Sequence, residues 1–251
     1  MLRAYYARVA PRSVHDIPRE KLSSYRLGRL ERIKPSGQRA LSLGAELLLI
    51  ESLKTLGEPE LPLDIYTGPG GKPGLREGPC FSLSHSGELV FCALSDVQVG
   101  CDVQKLPEAE PSPRLLERCL CERERRLYSE SENKRELFTV LWGLKESYAK
   151  MDGAGLGPLP PAEIPIQLCR PGAAAVEGSS AKLWYRVDGD YVFSVCSDSY
   201  LSSDCSYLSL STPSADRFQS PARFAHSVLS YHRKAIHFKN FSMTRYGKSD
   251  T

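Results

Sequence analysis

Between Val97 and Gln104 the chain alternates, with Val97, Val99, Cys101 and Val103 apolar and Gln98, Gly100, Asp102 and Gln104 polar or lacking a side chain. A period of two is that of a half-buried strand. The valines are therefore expected to face a core, with Asp102 and Gln104 projecting together from the other face. Further along, Leu137, Leu141, Leu144, Tyr148 and Met151 recur at steps of four and three. At roughly 100° per residue they make one apolar helical stripe. Trp142, Glu146 and Lys150 follow at i, i+4 and i+8 on the opposite side, where a tryptophan has no apolar neighbours to explain it. A strand with two oxygen-bearing side chains and a helix with an acid, a base and an aromatic ring thus frame the reading.

Two oxygen ligands at i and i+2, joined by a carboxylate from a helix, suit a hard cation such as Mg²⁺, which keeps several of its own waters. Each residue alone has an ordinary explanation. Asp102 can end a strand at a turn, and Glu146 with Lys150 can be a surface pair worth roughly 0.3–0.5 kcal/mol. Upstream, Phe81 to Gly87 reads as a strand ending in a Ser84-His85-Ser86 loop, followed by a second strand from Leu89 to Leu94. Such a turn can hold a structural histidine or offer several donors to a phosphate. No GxSxG elbow surrounds either serine, which disfavours a serine hydrolase. Lys72 in "GPGGKPG" is followed by Pro73 rather than Ser or Thr, so a Walker loop is rejected.

The segments "FSLSHSGELVFCALSDVQVGCDVQK" and "LWGLKESYAKMDGAGL" resemble the two signature motifs of the 4′-phosphopantetheinyl transferases, in particular the monomeric surfactin-synthetase-activating subclass. The similarity runs from about Tyr5 to about Asp198. It implies an α+β fold of two similar α/β halves. It also implies transfer of 4′-phosphopantetheine from coenzyme A to a serine of an apo acyl or peptidyl carrier protein, with Mg²⁺ as cofactor and adenosine 3′,5′-bisphosphate released. Under that resemblance Asp102, Gln104 and Glu146 hold the metal, Glu146 is the base, and Lys150 and His85 act on the phosphate being cleaved. Ser84 and His85 also bind the coenzyme, Lys72 and Pro73 flank its adenine, and Arg39, with Arg26 and Arg29 depending on register, meets the 3′-phosphate. Members of the subclass often carry Glu where this chain has Gln104, which leaves the metal stoichiometry open.

The first half is read as 1–106 and the second as 107–200, divided at the proline-rich start of "KLPEAEPSPRLLERCLCERERRLY". In the first half Leu2 to Val9 reads as a strand, Ile17 to Leu30 as helical, and "QRALSLGAELLLIESLKTLG" as a leucine-faced helix stopped at Gly57. In the second, "IPIQLC" and "KLWYRVDGDYVFSVCSD" read as strands, the latter turning at Asp188-Gly189. Residues 201–251 have almost no hydrophobic periodicity before Phe218 and are expected to form a disordered or weakly helical extension. Eight cysteines lie scattered without a CxxC pair, which favours reduced thiols and a cytoplasmic protein. No signal peptide or membrane span is expected. A net charge of +3 is too small to imply nucleic acid by itself. Two alternatives stand beside the transferase: a coenzyme A or nucleotide binder of the same fold without turnover, motivated by Gln104, and a nucleic-acid module built on the basic, aromatic tail.

Overall fold

The computed structural model describes residues 1–9, 19–153 and 160–198, together with the backbone of 210–211 and 229–230. In the first half, β1 (Leu2–Val9) is followed by α1 (Ser24–Arg32) and α2 (Ser36–Lys54), then by a small hairpin of β2 (Ile65–Thr67) and β3 (Pro73–Leu75). Next come β4 (Cys80–Ser86), β5 (Leu89–Ser95) and β6 (Val99–Lys105). The second half has α3 (Pro113–Cys119), α4 (Glu122–Glu130) and α5 (Lys134–Asp152), then β7 (Ile166–Arg170), β8 (Ala173–Val176), β9 (Lys182–Asp188) and β10 (Tyr191–Ser197).

Each half sets one 19-residue helix, α2 or α5, against an antiparallel sheet. In the first, β5 lies between β1 and β4, and α2 buries Leu43, Leu47, Leu48 and Ile50 in a core shared with Tyr5, Phe81, Val90 and Leu94. In the second the order is β6-β10-β9-β8-β7, and Leu141, Leu144 and Met151 of α5 pack with Ile166, Leu183 and Val192. A third cluster joins the two sheets through Leu89 and Phe91 on one side and Val99, Cys101, Val103, Phe193 and Val195 on the other. There the Phe91 and Phe193 rings meet edge-on, with centroids 5.2 Å apart.

The mixed α/β architecture that the resemblance implies is present, and several local expectations change. β6 is buried on both faces, not half-buried, because the sheet-joining core covers its valines and α5 covers the Gly100–Asp102 face. It pairs along its length with β10, Asp102 opposite Ser194, so it belongs to the second sheet. The serine-rich segment is strand, not loop: Ser84 pairs with Phe91 and His85 with Val90. Of the helix expected over Ile17–Leu30, Ile17 and Pro18 lie outside the described residues, Arg19–Lys21 forms a single 3-10 turn, and α1 begins at Ser24, capped by the Ser23 hydroxyl, which accepts from the Arg26 amide. α2 is buried almost all round from Ala40 to Leu53 rather than along one leucine face. The turn at Gly189 is present, with φ of 57°. Within the tail, β11 (Leu210–Ser211) pairs parallel with β1 at Ala4 and Tyr5, and β12 (Leu229–Ser230) pairs antiparallel at Arg8 and Val9. Those four residues form strand where none was expected; the rest of the tail, and the nucleic-acid reading placed on it, lies outside the described residues. Among the described residues no helix is long and apolar enough to cross a membrane, and every cysteine is a free thiol.

Candidate active site

The site forms where α5 lies directly on β6. Gly100 permits this contact, since a Cβ there would collide with the Ser147 carbonyl oxygen on the facing turn of α5. Two residues on, the same face of β6 presents Asp102 to the helix, and four on, Gln104. On the helix side, Gly143 lets Ser194 of β10 come close enough for its hydroxyl to donate to the Gly143 carbonyl at 2.6 Å. Backbone contact at two glycines therefore fixes the distance between the strand carboxylate and the helix groups.

Asp102 is only 1% exposed, and its carboxylate is held by three donors. Oδ1 accepts from Lys150 Nζ at 2.6 Å and from Ser84 Oγ at 2.7 Å, and Oδ2 accepts from Gln104 Nε2 at 2.8 Å. Charge-assisted bonds of this kind offset the cost of burying a carboxylate. Lys150 Nζ also stands 3.9 Å from Glu146 Oε2, so one ammonium serves two carboxylates. Burial works against the Lys150 charge, but Asp102 overrides it and the pKa is raised. Burial raises the Glu146 pKa, Lys150 opposes the rise and the Asp102 charge adds to it.

Asp102, Glu146 and a turned Gln104 amide make an all-oxygen donor set that fits a hard cation. As the side chains stand, Gln104 points its NH₂ at Asp102, and its oxygen would reach a cation only by reorienting. Among the described residues no group of three or more His, Cys, Asp or Glu side chains is placed to hold a metal. A metal here would rest on two carboxylates and on oxygens brought by a ligand.

The serines of β4 have a role that the sequence does not announce. Ser82, Ser84 and Ser86 accept hydrogen bonds from the amides of Cys101, Val103 and Lys105 at 3.0, 3.3 and 3.0 Å. A ladder of hydroxyls thus ties β4 to β6 in place of backbone pairing. The Ser84 proton, expected for a phosphate, goes to Asp102. By alternation Phe81, Leu83 and His85 take the opposite face of β4, where Phe81 and Leu83 pack on the first core. His85 is exposed, and its pKa is lowered, first by partial loss of solvent and then by the charges of Lys150 and Arg26.

Other expected coenzyme contacts are placed differently. Arg26 is buried, with Nε donating to Glu46 at 3.2 Å and a second nitrogen to Ser42 Oγ at 2.7 Å. Arg29 is exposed on α1 and Arg39 is half-buried on α2. Lys72 donates to Gln98 Oε1, the Val99 carbonyl and the Met151 carbonyl at 2.9, 3.0 and 2.8 Å. Pro73 opens β3, half-buried. Trp142 does not stand apart from apolar neighbours but packs partly buried against the second core, because α5 is enclosed by the sheet and α4. Lys145 was missed altogether. It is fully buried, and its three N–H donors are shared among four oxygens within hydrogen-bonding distance, both oxygens of the Glu124 carboxylate and the carbonyls of Pro161 and Ile164. Its position on the apolar side of the helical wheel was the available signal. Burial lowers its pKa and Glu124 opposes the drop.

Residues 98–196, which carry Asp102, Gln104, Glu146 and Lys150, match the model of the 4′-phosphopantetheinyl transferase superfamily. The resemblance seen in the two sequence segments is therefore borne out. The chain is 30% identical over 135 residues to the 4′-phosphopantetheinyl transferase Sfp of Bacillus subtilis, covering 50% of this chain and 59% of that protein. It is 33% identical over 146 residues to a putative 4′-phosphopantetheinyl transferase of Synechocystis, covering 54% and 58%. With the 4′-phosphopantetheinyl transferase HetI of Nostoc it shares 33% identity over 109 residues, covering 40% and 46%. The alignments thus span about half the length of these relatives. Among solved structures, the holo-[acyl-carrier-protein] synthase of Thermotoga maritima is similar at a TM-score of 0.34 and 23% identity, covering 40% of this chain and 61% of that one.

Proposed function

We propose that this chain transfers the 4′-phosphopantetheine group of coenzyme A to a serine of an apo acyl or peptidyl carrier protein, as a cytoplasmic, Mg²⁺-dependent monomeric enzyme. The observation that carries the reading is the convergence of Asp102, Glu146 and Lys150 where α5 meets β6, within the segment that matches the superfamily. In the reaction the carrier serine oxygen bonds to the β-phosphorus of coenzyme A. The bond from that phosphorus to the bridging oxygen breaks, and adenosine 3′,5′-bisphosphate leaves with the electron pair. Asp102 and Glu146, with Gln104, would hold the magnesium, which supplies Lewis-acid neutralisation of the pyrophosphate.

The remaining roles fall to the chain's own groups. Glu146, made more basic than an ordinary carboxylate by its burial, takes the serine proton. Lys150, paired with Asp102 and partly open to solvent, turns its ammonium to a phosphate oxygen and stabilises charge on the leaving group. His85, with Arg29 and Arg39, supplies donors to the coenzyme phosphates, whereas the Arg26 guanidinium is already committed to Glu46 and Ser42. Ser84 orients Asp102. A second reading, coenzyme A binding without turnover, is favoured only by the Gln104 amide standing where related chains often carry a carboxylate.

Intact-mass measurement of apo carrier proteins incubated with the chain, coenzyme A and Mg²⁺ separates the two readings. The transferase reading expects the carrier to gain one phosphopantetheine arm and adenosine 3′,5′-bisphosphate to appear. Calorimetric binding of coenzyme A with no mass gain on acyl, peptidyl or aminoadipate-type carriers supports the second reading.

A further inference from the structure

Lys72 sits in the loop of the β2–β3 hairpin, far in sequence from the acidic cluster, yet its side chain ends at the junction of the two elements that build that cluster. An ammonium has three N–H donors, and here all three are used: Gln98 Oε1 at 2.9 Å, the Val99 carbonyl at 3.0 Å and the Met151 carbonyl at 2.8 Å. Val99 opens β6 and stands three residues before Asp102. Met151 lies in the last turn of α5, next to Lys150 and five residues beyond Glu146. Its carbonyl is one of the last four of the helix, which have no partner within it, and a cation there also complements the helix dipole. The hairpin loop is itself braced, the Gly68 amide donating to the Lys72 carbonyl at 2.8 Å.

We infer that the Lys72 side chain is a positioning group, a clamp that holds the C-terminal end of α5 against the start of β6 and so sets Glu146 and Lys150 relative to Asp102. The reason for a clamp is local. Gly100 lets helix and strand backbones touch, and such a contact has no interdigitating side chains to resist sliding. Hydrogen bonds from one charged group to both backbones supply that resistance. Loss of solvent lowers the Lys72 pKa, in keeping with an ammonium held by carbonyls inside the protein rather than one left open for a phosphate. A displacement of about 1 Å at a catalytic constellation can cost on the order of a hundredfold in rate.

This inference rests on the transferase reading for its kinetic arm, and the test keeps the two apart. Lys72→Met and Gln98→Ala are compared with the wild-type full chain, the latter removing one acceptor at an exposed position without touching a core. Transfer is measured with coenzyme A and with 3′-dephospho-coenzyme A, and amide hydrogen exchange is followed over residues 99–102 and 147–153. In Lys72→Met, kcat is expected to fall about tenfold or more, with KM for coenzyme A and the preference over the dephospho form unchanged. Exchange at both ends of the clamp is expected to quicken. Gln98→Ala changes in the same direction and less. A raised KM for both coenzymes with kcat intact would make the Lys72 side chain a coenzyme ligand and overturn the inference. Wild type without transfer defeats the transferase reading alone, because unchanged exchange in Lys72→Met overturns the clamp whether or not transfer is seen.

Discussion

Single residues at the site are defined by what they already hold. His85 faces a cationic neighbourhood in which Lys150 is the strongest influence after loss of solvent, and its pKa lies below the ordinary 6.5. The folded state therefore binds fewer protons than the unfolded chain between the two pKa values, and His85 opposes folding increasingly as pH falls below 6.5. An NMR titration of the His85 ring is expected to give a midpoint below 6.5 that rises in Lys150→Met; an unshifted midpoint in the variant would separate the two groups. Lys145 and Glu124, each 0% exposed, form a pair whose value lies in not being broken. Lys145→Met leaves Glu124 charged and buried, and urea unfolding should register a loss of about 3–5 kcal/mol. A loss below 1 kcal/mol would mean that Glu124 reaches solvent or takes up a proton at little cost.

At the scale of elements, the decisive contact is α5 on β6. Gly100→Ala places a methyl against the Ser147 carbonyl, which as backbone cannot swing aside, so both stability and transfer should fall sharply. Gly28→Ala in α1 is the control: nothing lies within 4 Å of a Cβ there, and replacing a helical glycine by alanine should leave transfer unchanged and stabilise the chain by about 0.5–1 kcal/mol. Equal effects of the two substitutions in a thermal melt would refute the close approach. Much of this arrangement was legible in the chain. The alternation at Val97–Gln104 and the four-three spacing at Leu137–Met151 located β6 and α5, and their polar positions located Asp102 and Glu146. The alternation could not tell that β6 is covered on both faces, because Gly100 and the small polar face pack against a helix backbone, which leaves no hydrophobic trace. Nor could it separate a serine loop from the hydroxyl ladder of Ser82, Ser84 and Ser86, since the same residues serve turns and strand edges alike. The buried partners of Lys145, Arg26 and Lys72 were not legible for one reason: a lysine or arginine reads as surface or ligand unless its partner, distant in sequence, is known.

The described residues form two helix-on-sheet halves joined through Phe91, Val103 and Phe193, with the proposed site at the β6–α5 junction of the second half and β4 reaching it from the first. The segment matched by the superfamily holds the acidic cluster, while Ser84, His85 and the arginines come from outside it, so the proposed site draws on both halves. The last core strand ends at Ser197, and every proposed site residue lies before it. Removing residues 201–251 should therefore leave transfer intact, while baring the β1 edge that Leu210–Ser211 and Leu229–Ser230 pair with. Light scattering should report more self-association from that unpaired edge. Inactivity of a soluble, folded truncation would place part of the site in the tail. The central claim is that Glu146, set against Asp102 and Lys150, performs phosphopantetheine transfer, and it is tested most directly by intact-mass analysis of an apo carrier protein incubated with coenzyme A, Mg²⁺ and either wild type or Glu146→Gln. The account expects the wild type to add one phosphopantetheine arm and the equally folded variant to add none over the same time. Modification of the carrier at comparable rates by both proteins would contradict it.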